Sequence, residues 1–196
     1  MQTLSAKFRE VTRGPWITAG RDVQFKLIGR TLYVECSDGK SDWRYNLAFG
    51  KSVYDEDDVK FKAHRGFKML WRSIKDEIEK LDFDTIVGYS QGAAIAVFVH
   101  ENFYHRKGFE PVTFAFGCPR VVWSPNKALR ARFTQFFRFK NPEDIVTRVP
   151  PAILGYRHVG QEVILKQRAK RPKGCNLFRW LSGHSPEMYN LRLEGL

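Results

Sequence analysis

A chain of 196 residues with 43% apolar residues, sixteen Phe and five Trp can bury a core of ordinary size, which excludes a disordered polymer and fits a single compact domain. Apolar runs such as Ala93–Val99 stop far short of the ~18 residues of a membrane-spanning helix, and Cys36, Cys118 and Cys175 have neither a disulfide framework nor zinc-ligand spacing. Net charge is +12 and lies in the second half, since residues 1–89 carry 16 Lys and Arg against 14 Asp and Glu, while residues 90–196 carry 17 against 7, an imbalance that suits a phosphate-bearing partner surface.

Lys7, Arg9, Glu10 and Arg13 stand where a signal peptide would run apolar, so export is not expected and a cytoplasmic, reducing location is the simpler reading. Leu4, Phe8 and Val11 predict a short amphipathic opening. Val23–Ile28 and Thr31–Cys36 alternate like strands across Gly29-Arg30, a pair that suits a II′ hairpin turn. The segment 37–60, with its acidic run Asp55-Glu56-Asp57-Asp58, reads as an irregular surface excursion. Phe67, Leu70, Trp71, Ile74, Ile78 and Leu81 recur at helical spacing, which predicts a helix over 66–81 with its apolar stripe on a sheet. Next come a buried-type strand over 85–89, a helix over 91–104 rich in small residues, and a second strand over 112–116. At these lengths the three elements form a parallel, right-handed crossover. Ser124-Pro125 predicts an N-cap with proline at the first helical position, opening a helix to about Phe133. Strands over 136–139 and 156–165 complete a mixed sheet, and 166–173 reads as a basic loop.

Gly88-Tyr89-Ser90-Gln91-Gly92 fits G-x-S-x-G at the junction of a predicted strand and helix. That context gives the motif its meaning: a tight strand-to-helix turn lifts the serine hydroxyl clear of the sheet. A serine hydroxyl becomes nucleophilic when a histidine takes its proton and a carboxylate holds that histidine. In this architecture the order along the chain is Ser, acid, His. Asp144 is the only aspartate after Ser90, and its place in Asn141-Pro142-Glu143-Asp144, past the end of a strand, is where open α/β sheets present functional groups. Beyond it stand His158 and His184. His158 lies in a strand-like stretch and reads as a structural histidine, whereas His184 sits in the loop Ser182-Gly183-His184-Ser185-Pro186; His64, His100 and His105 precede the acid and would break the order. Ser90, Asp144 and His184 are therefore the candidate triad.

With this order in place the chain resembles the class-three lipases, the family of the secreted fungal triacylglycerol lipases, over about residues 32–189. The motifs are the elbow itself, Ala63-His64-Arg65-Gly66-Phe67, Phe114-Ala115-Phe116-Gly117-Cys118-Pro119-Arg120, the stretch from Asn141 to Pro151, and Tyr156-Arg157-His158-Val159-Gly160. The resemblance implies an α/β-hydrolase fold, a mixed and mostly parallel sheet flanked by helices, with no metal or cofactor. It places an oxyanion hole at the Gln91 backbone N–H and at Ser37, counted back from Asp42-Trp43; Glu35-Cys36 departs from the family's usual Arg-Gly just before. The family's lid falls near 42–58, and Trp43, Leu47 and Phe49 ahead of an acidic run offer little continuous apolar surface, so strong interfacial activation is not expected. The short chain points to an intracellular or virally encoded relative.

The expected function is acyl-ester hydrolysis of lipid-like substrates, phospholipids among them, through an acyl-serine. Lys166, Arg168, Lys170, Arg171 and Lys173 are the candidate contact with an anionic membrane, and nucleic acid is the less expected partner. Two other readings stay open: a thioesterase or deacylase on the same triad, and an inactive basic module that binds membrane or nucleic acid.

Overall fold

The computed structural model describes residues 2–36, 50–56, 59–166 and 182–194. Its frame is a seven-stranded sheet in the order β1-β2-β3-β6-β7-β9-β11, made of Ile17–Ala19 (β1), Val23–Ile28 (β2), Thr31–Cys36 (β3), Thr85–Tyr89 (β6), Val112–Phe116 (β7), Phe136–Lys140 (β9) and Gln161–Ile164 (β11). The first three strands pair antiparallel and the rest parallel. Gly29 carries φ +58° and Arg30 has no positive φ, which is the pattern of the II′ turn.

Parallel strands must be covered on both faces, and their alternation sorts the two cores. Leu32, Val34, Ile86 and Ala115 face one way, onto Arg65–Ile78 (α2) and Gln91–Lys107 (α3); Tyr33, Val87, Tyr89 and Phe116 face the other way, onto Leu4–Val11 (α1) and Pro186–Leu193 (α5). Helix α3 is buried all round its first three turns, because the sheet lies beneath it, α2 packs beside it, and Phe98 meets Tyr54 of a second sheet at 5.5 Å. Its run of Ala93, Ala94 and Ala96 makes such enclosure sterically feasible.

That second sheet, in the order β10-β8-β5-β4, corrects the reading of 37–60 as irregular. Lys51–Glu56 (β4) and Val59–His64 (β5) form an antiparallel hairpin, and Val122–Trp123 (β8) and Tyr156–Arg157 (β10) extend it. Its signal was weak because only alternate residues face inward: Tyr54 lies opposite Phe61 with ring centroids 4.7 Å apart, and exposed Asp55 pairs with Lys60 across the strands at 3.0 Å.

Two further boundaries differ. The fourth helix spans Lys127–Ala131 (α4) and is capped by Asn126, whose Oδ1 accepts from Leu129 N at 2.8 Å, while Ser124 has φ +41° and lies outside the helix. The stretch 156–165 divides between the two sheets because the Val159 carbonyl accepts from Arg138 Nε at 2.8 Å, which takes it out of the strand ladder.

Candidate active site

The elbow is built by close approach of backbone. A Cβ on Gly92 would stand 2.1 Å from the Val34 carbonyl oxygen, and one on Gly88 would stand 2.7 Å from Ala93 Cα, so both positions must lack a side chain for β3, β6 and α3 to converge. Ser90, between them, has φ 55° and ψ −120°, a conformation that costs an L-residue on the order of 1–3 kcal/mol. Its backbone is held by Ser90 N–H to Phe116 O at 2.9 Å and by Ala94 N–H to Ser90 O at 3.2 Å. This turn places Ser90 at the N-terminus of α3, where the helix dipole favours negative charge.

The other two groups come from loops at the C-terminal edge of the parallel strands. Asp144 follows β9 and is 1% exposed; one carboxylate oxygen accepts from Val146 N–H at 2.8 Å, and Thr147 Oγ1 donates to the Asp144 carbonyl at 2.9 Å. His184 ends a 3₁₀ turn, Ser182–His184, just ahead of α5. His184 Nδ1 lies 2.9 Å from Asp144 Oδ2, and Nε2 lies 2.7 Å from Ser90 Oγ. The acid accepts a proton bond at Nδ1, so the neutral ring turns a lone pair at Nε2 toward the serine hydroxyl. The three side chains thus form one hydrogen-bonded line.

Several residues that hold this line were not anticipated. Tyr189 Oη, fully buried on α5, donates to Asp144 Oδ2 at 2.7 Å and accepts from Asn141 N–H at 3.3 Å. Burial first, and the neighbouring Asp144 charge second, hold its phenol well above the ordinary range, so it stays a donor. Asn141 Nδ2 donates to Gly183 O at 2.8 Å, which ties the acid loop to the histidine loop. The Tyr89 ring stacks on His184 at 5.2 Å and its hydroxyl donates to the His184 carbonyl. Gly117, with φ +60°, lies under the pair: a Cβ there would be 2.8 Å from His184 Cε1 and 3.2 Å from Asp144 Oδ2. Asn141 and Gly117 sit within motifs already singled out, so a signal existed; Tyr189 carried none, and the helix that bears it, Pro186–Leu193, follows a stretch read as loop.

The remaining polar groups near the sheet play other parts. Cys118 is buried, and that burial pushes its thiol up to about 12, so it stays a neutral thiol. His64 caps α2, with Nδ1 accepting from Phe67 N–H at 3.3 Å. His158 is the structural histidine expected: Nε2 donates to Thr147 O at 2.8 Å, and burial, followed by nearby Arg138, lowers it to about 3. His100 donates from Nε2 to Arg132 O at 2.9 Å and accepts at Nδ1 from Thr113 Oγ1 at 2.8 Å, and burial pushes it down to about 4. Both rings are neutral when folded yet titrate near 6.5 when unfolded, so the unfolded chain binds more protons below that value. Their stabilisation is complete above pH 6.5 and is lost as pH falls toward about 3. Thermal midpoints followed from neutral pH downward should therefore drop steadily, with a shallower drop in His158→Gln; a midpoint independent of pH would contradict this.

Gln91 is the first residue of α3 and 3% exposed, adjacent to Ser90. Ser37, the other predicted oxyanion residue, lies outside the described residues, as do Arg168, Lys170, Arg171 and Lys173 and the lid positions Trp43, Leu47 and Phe49; Lys166 is described and exposed. Strand β3, which leads to Ser37, is level with the elbow, Val34 lying opposite Gly88. Among the described residues no group of three or more His, Cys, Asp and Glu side chains could hold a metal ion, and no helix is long and apolar enough to cross a membrane.

Comparison with known proteins agrees with this architecture. A secreted mono- and diacylglycerol lipase of Malassezia restricta is 29% identical over 117 residues, covering 52% of this chain and 37% of the relative, so the chain spans little more than a third of the curated relatives it matches. The lipase of Rhizopus microsporus var. chinensis superimposes with a TM-score of 0.58 over 83% of this chain and 65% of that one, at 23% identity. A triacylglycerol lipase whose catalytic centre is formed by a serine protease triad superimposes with a TM-score of 0.60 over 78% of this chain and 66% of that one, at 20% identity. These neighbours share the α/β-hydrolase fold. The cytoplasmic expectation is corrected by the curated relative, which is a secreted protein: charged residues near the first methionine were too slight a basis for it. A family model for lipases of class 3 matches residues 32–154, well over half of the sequence, and the chain belongs to the class 3 lipase family.

Proposed function

We propose that this chain is a serine ester hydrolase that cleaves acyl esters of lipid-like substrates through an acyl-serine intermediate. The observation that carries the proposal is the continuous line from Ser90 Oγ through the His184 ring to Asp144, set at a strand-to-helix elbow. Ser90 Oγ attacks the ester carbonyl while His184 Nε2 takes its proton, and Asp144 steadies the imidazolium that forms. The tetrahedral oxyanion is received by the Gln91 N–H and, on the family's pattern, by Ser37; each such donor contributes about 2.7–4 kcal/mol. His184 then returns the proton to the departing alkoxide, which leaves an ester on Ser90. Water deprotonated by the same ring releases the acid. The family and the serine protease triad of a related triacylglycerol lipase support this reading.

Within lipid esters, the basic residues Lys166, Arg168, Lys170, Arg171 and Lys173 favour substrates presented at an anionic surface, phospholipids included. Hydrolysis of p-nitrophenyl esters of graded chain length, beside mono-, di- and triacylglycerols, phospholipids and acyl thioesters, tests the substrate class. Turnover confined to thioesters, or none at all, would overturn it.

Tyr189 is a positioning residue on this account. Tyr189→Phe keeps the packing but removes one bond to a buried charge, about 1.5–3 kcal/mol, so the thermal midpoint should fall by several degrees and kcat by about tenfold or more, with KM little changed. An unchanged kcat, or a loss seen only in stability, would remove it from the mechanism.

A further inference from the structure

The most exposed apolar side chain noted on this surface belongs to a turn with no part in the triad. Ile153 is 93% exposed and Leu154 47%, both in the 3₁₀ turn Ala152–Leu154, and Val53 on β4 is 48% exposed. A single apolar side chain in water is unremarkable, but the backbone of this turn is held by side chains from outside it. Arg157 donates to Ala152 O at 2.5 Å and to Tyr156 O at 2.9 Å, and the Trp123 indole N–H donates to Leu154 O at 3.0 Å. Arg120 donates to Pro150 O at 3.0 Å and also to Arg148 O. The apolar tip is thus presented on a braced backbone.

The bracing groups are also the charge. Lys51 and Lys62 hold their ammonium groups 4.3 and 5.1 Å from the Trp123 ring, and strand register sets Val53 opposite Lys62 and Lys62 opposite Trp123, so the tip and the second sheet are continuous. Arg148 and Arg157 are exposed beside it. Arg120 is held below its usual range, first by burial and then by Arg157, Arg138 and Arg148, with Glu162 as the opposing charge. Facing these cations, the carboxylates are Glu162 and, two residues beyond Val53 on β4, Asp55, which is paired with Lys60 at 3.0 Å. An apolar tip, an indole at its base and a border of long cationic side chains together match the layers of an anionic bilayer: acyl region, headgroup boundary and phosphate.

The geometry points to the turn Ala152–Leu154 and the adjoining face of the second sheet as a docking surface for an anionic lipid bilayer, with Ile153 and Leu154 entering the headgroup layer. This surface includes none of the basic residues from Lys166 to Lys173, and binding is read without turnover, so it stands or falls apart from the proposed chemistry.

Sedimentation with phosphatidylcholine vesicles, with and without phosphatidylserine, tests it on the whole chain. The chain should bind the phosphatidylserine vesicles, and Ile153→Ser/Leu154→Ser should bind them at least tenfold more weakly, with a thermal midpoint little changed because Ile153 is almost fully exposed and Leu154 half-exposed. Lys51→Gln/Lys62→Gln should lose about 25-fold, at about fivefold per basic residue, and only on the anionic vesicles. Failure of the unaltered chain to bind, or binding by the serine variant equal to it, overturns the proposal. So does a dimer in sedimentation velocity that the serine variant abolishes, which would assign the surface to a second copy of this chain.

Discussion

Replacing Ser90 by alanine is expected to lower ester hydrolysis by about 10⁴–10⁶-fold while leaving the thermal midpoint in place or raising it. On the proposed mechanism the loss is this large because His184 and Asp144 act only through the hydroxyl at 2.7 Å; without it both would remain assembled with nothing to activate. Whatever activity persists would come, on that mechanism, from the proposed oxyanion donors and substrate binding. Stability should not suffer, since Ser90 has no side-chain capping bond to the helix and alanine asks no more of the φ 55° backbone than serine does. Initial rates on a soluble p-nitrophenyl ester, with unfolding followed in parallel, check both halves. Near-normal hydrolysis by Ser90→Ala would place the nucleophile elsewhere.

Gly117→Ala is the second large effect, and it comes from a residue with no chemistry of its own. Its φ of +60° is costly for alanine, and the new methyl would sit 2.8 Å from His184 Cε1 and 3.0 Å from Nδ1. The imidazole is the group that can move, because it stands on a short 3₁₀ turn while β7 and the acid loop are buried. Displacing the ring by a few tenths of an ångström lengthens both of its bonds at once. Hydrolysis should fall by about 10²-fold or more, in line with the cost of ångström-scale misplacement, with stability reduced by roughly 1–2 kcal/mol. A Gly117→Ala protein that keeps full activity would mean that the ring does not occupy the position seen here during turnover.

How much of this was legible beforehand depended on whether a residue's role is local. The elbow was, because strand, turn and helix lie within a few consecutive residues and the glycines are demanded by contacts a few ångströms away. Asp144 and His184 were singled out by order and elimination, and the structure brings both to Ser90 from loops after β9 and before α5. The Ser-Pro signal was read as a helix start at Ser124-Pro125, where it misled, and was passed over as loop at Ser185-Pro186, where a helix does begin. Ser124-Pro125 lies ahead of a helix that Asn126 caps, whereas at Ser185-Pro186 the serine Oγ does accept from Met188 N–H at 3.3 Å with proline at the first helical position. Local capping chemistry is alike in the two cases, and tertiary packing chose between them.

What stayed hidden was long-range. Tyr189 reaches Asp144 across 45 positions and Asn141 reaches Gly183 across 42, and no periodicity announces either bond. The hairpin of β4 and β5 was lost for a related reason. It is the outer sheet of the molecule, so every second residue is solvated, and its acidic end looked like loop until Tyr54 was seen to pack on Phe61 and Phe98.

The most direct test of the central claim is labelling with a fluorophosphonate, followed by peptide mapping. A serine deprotonated by His184 and backed by an oxyanion site reacts with such a probe, whereas an ordinary surface serine does not. The proposed mechanism predicts one phosphonylated residue, Ser90, with labelling abolished in Ser90→Ala and sharply slowed in His184→Ala. An unlabelled chain, or label found on another residue, would contradict it.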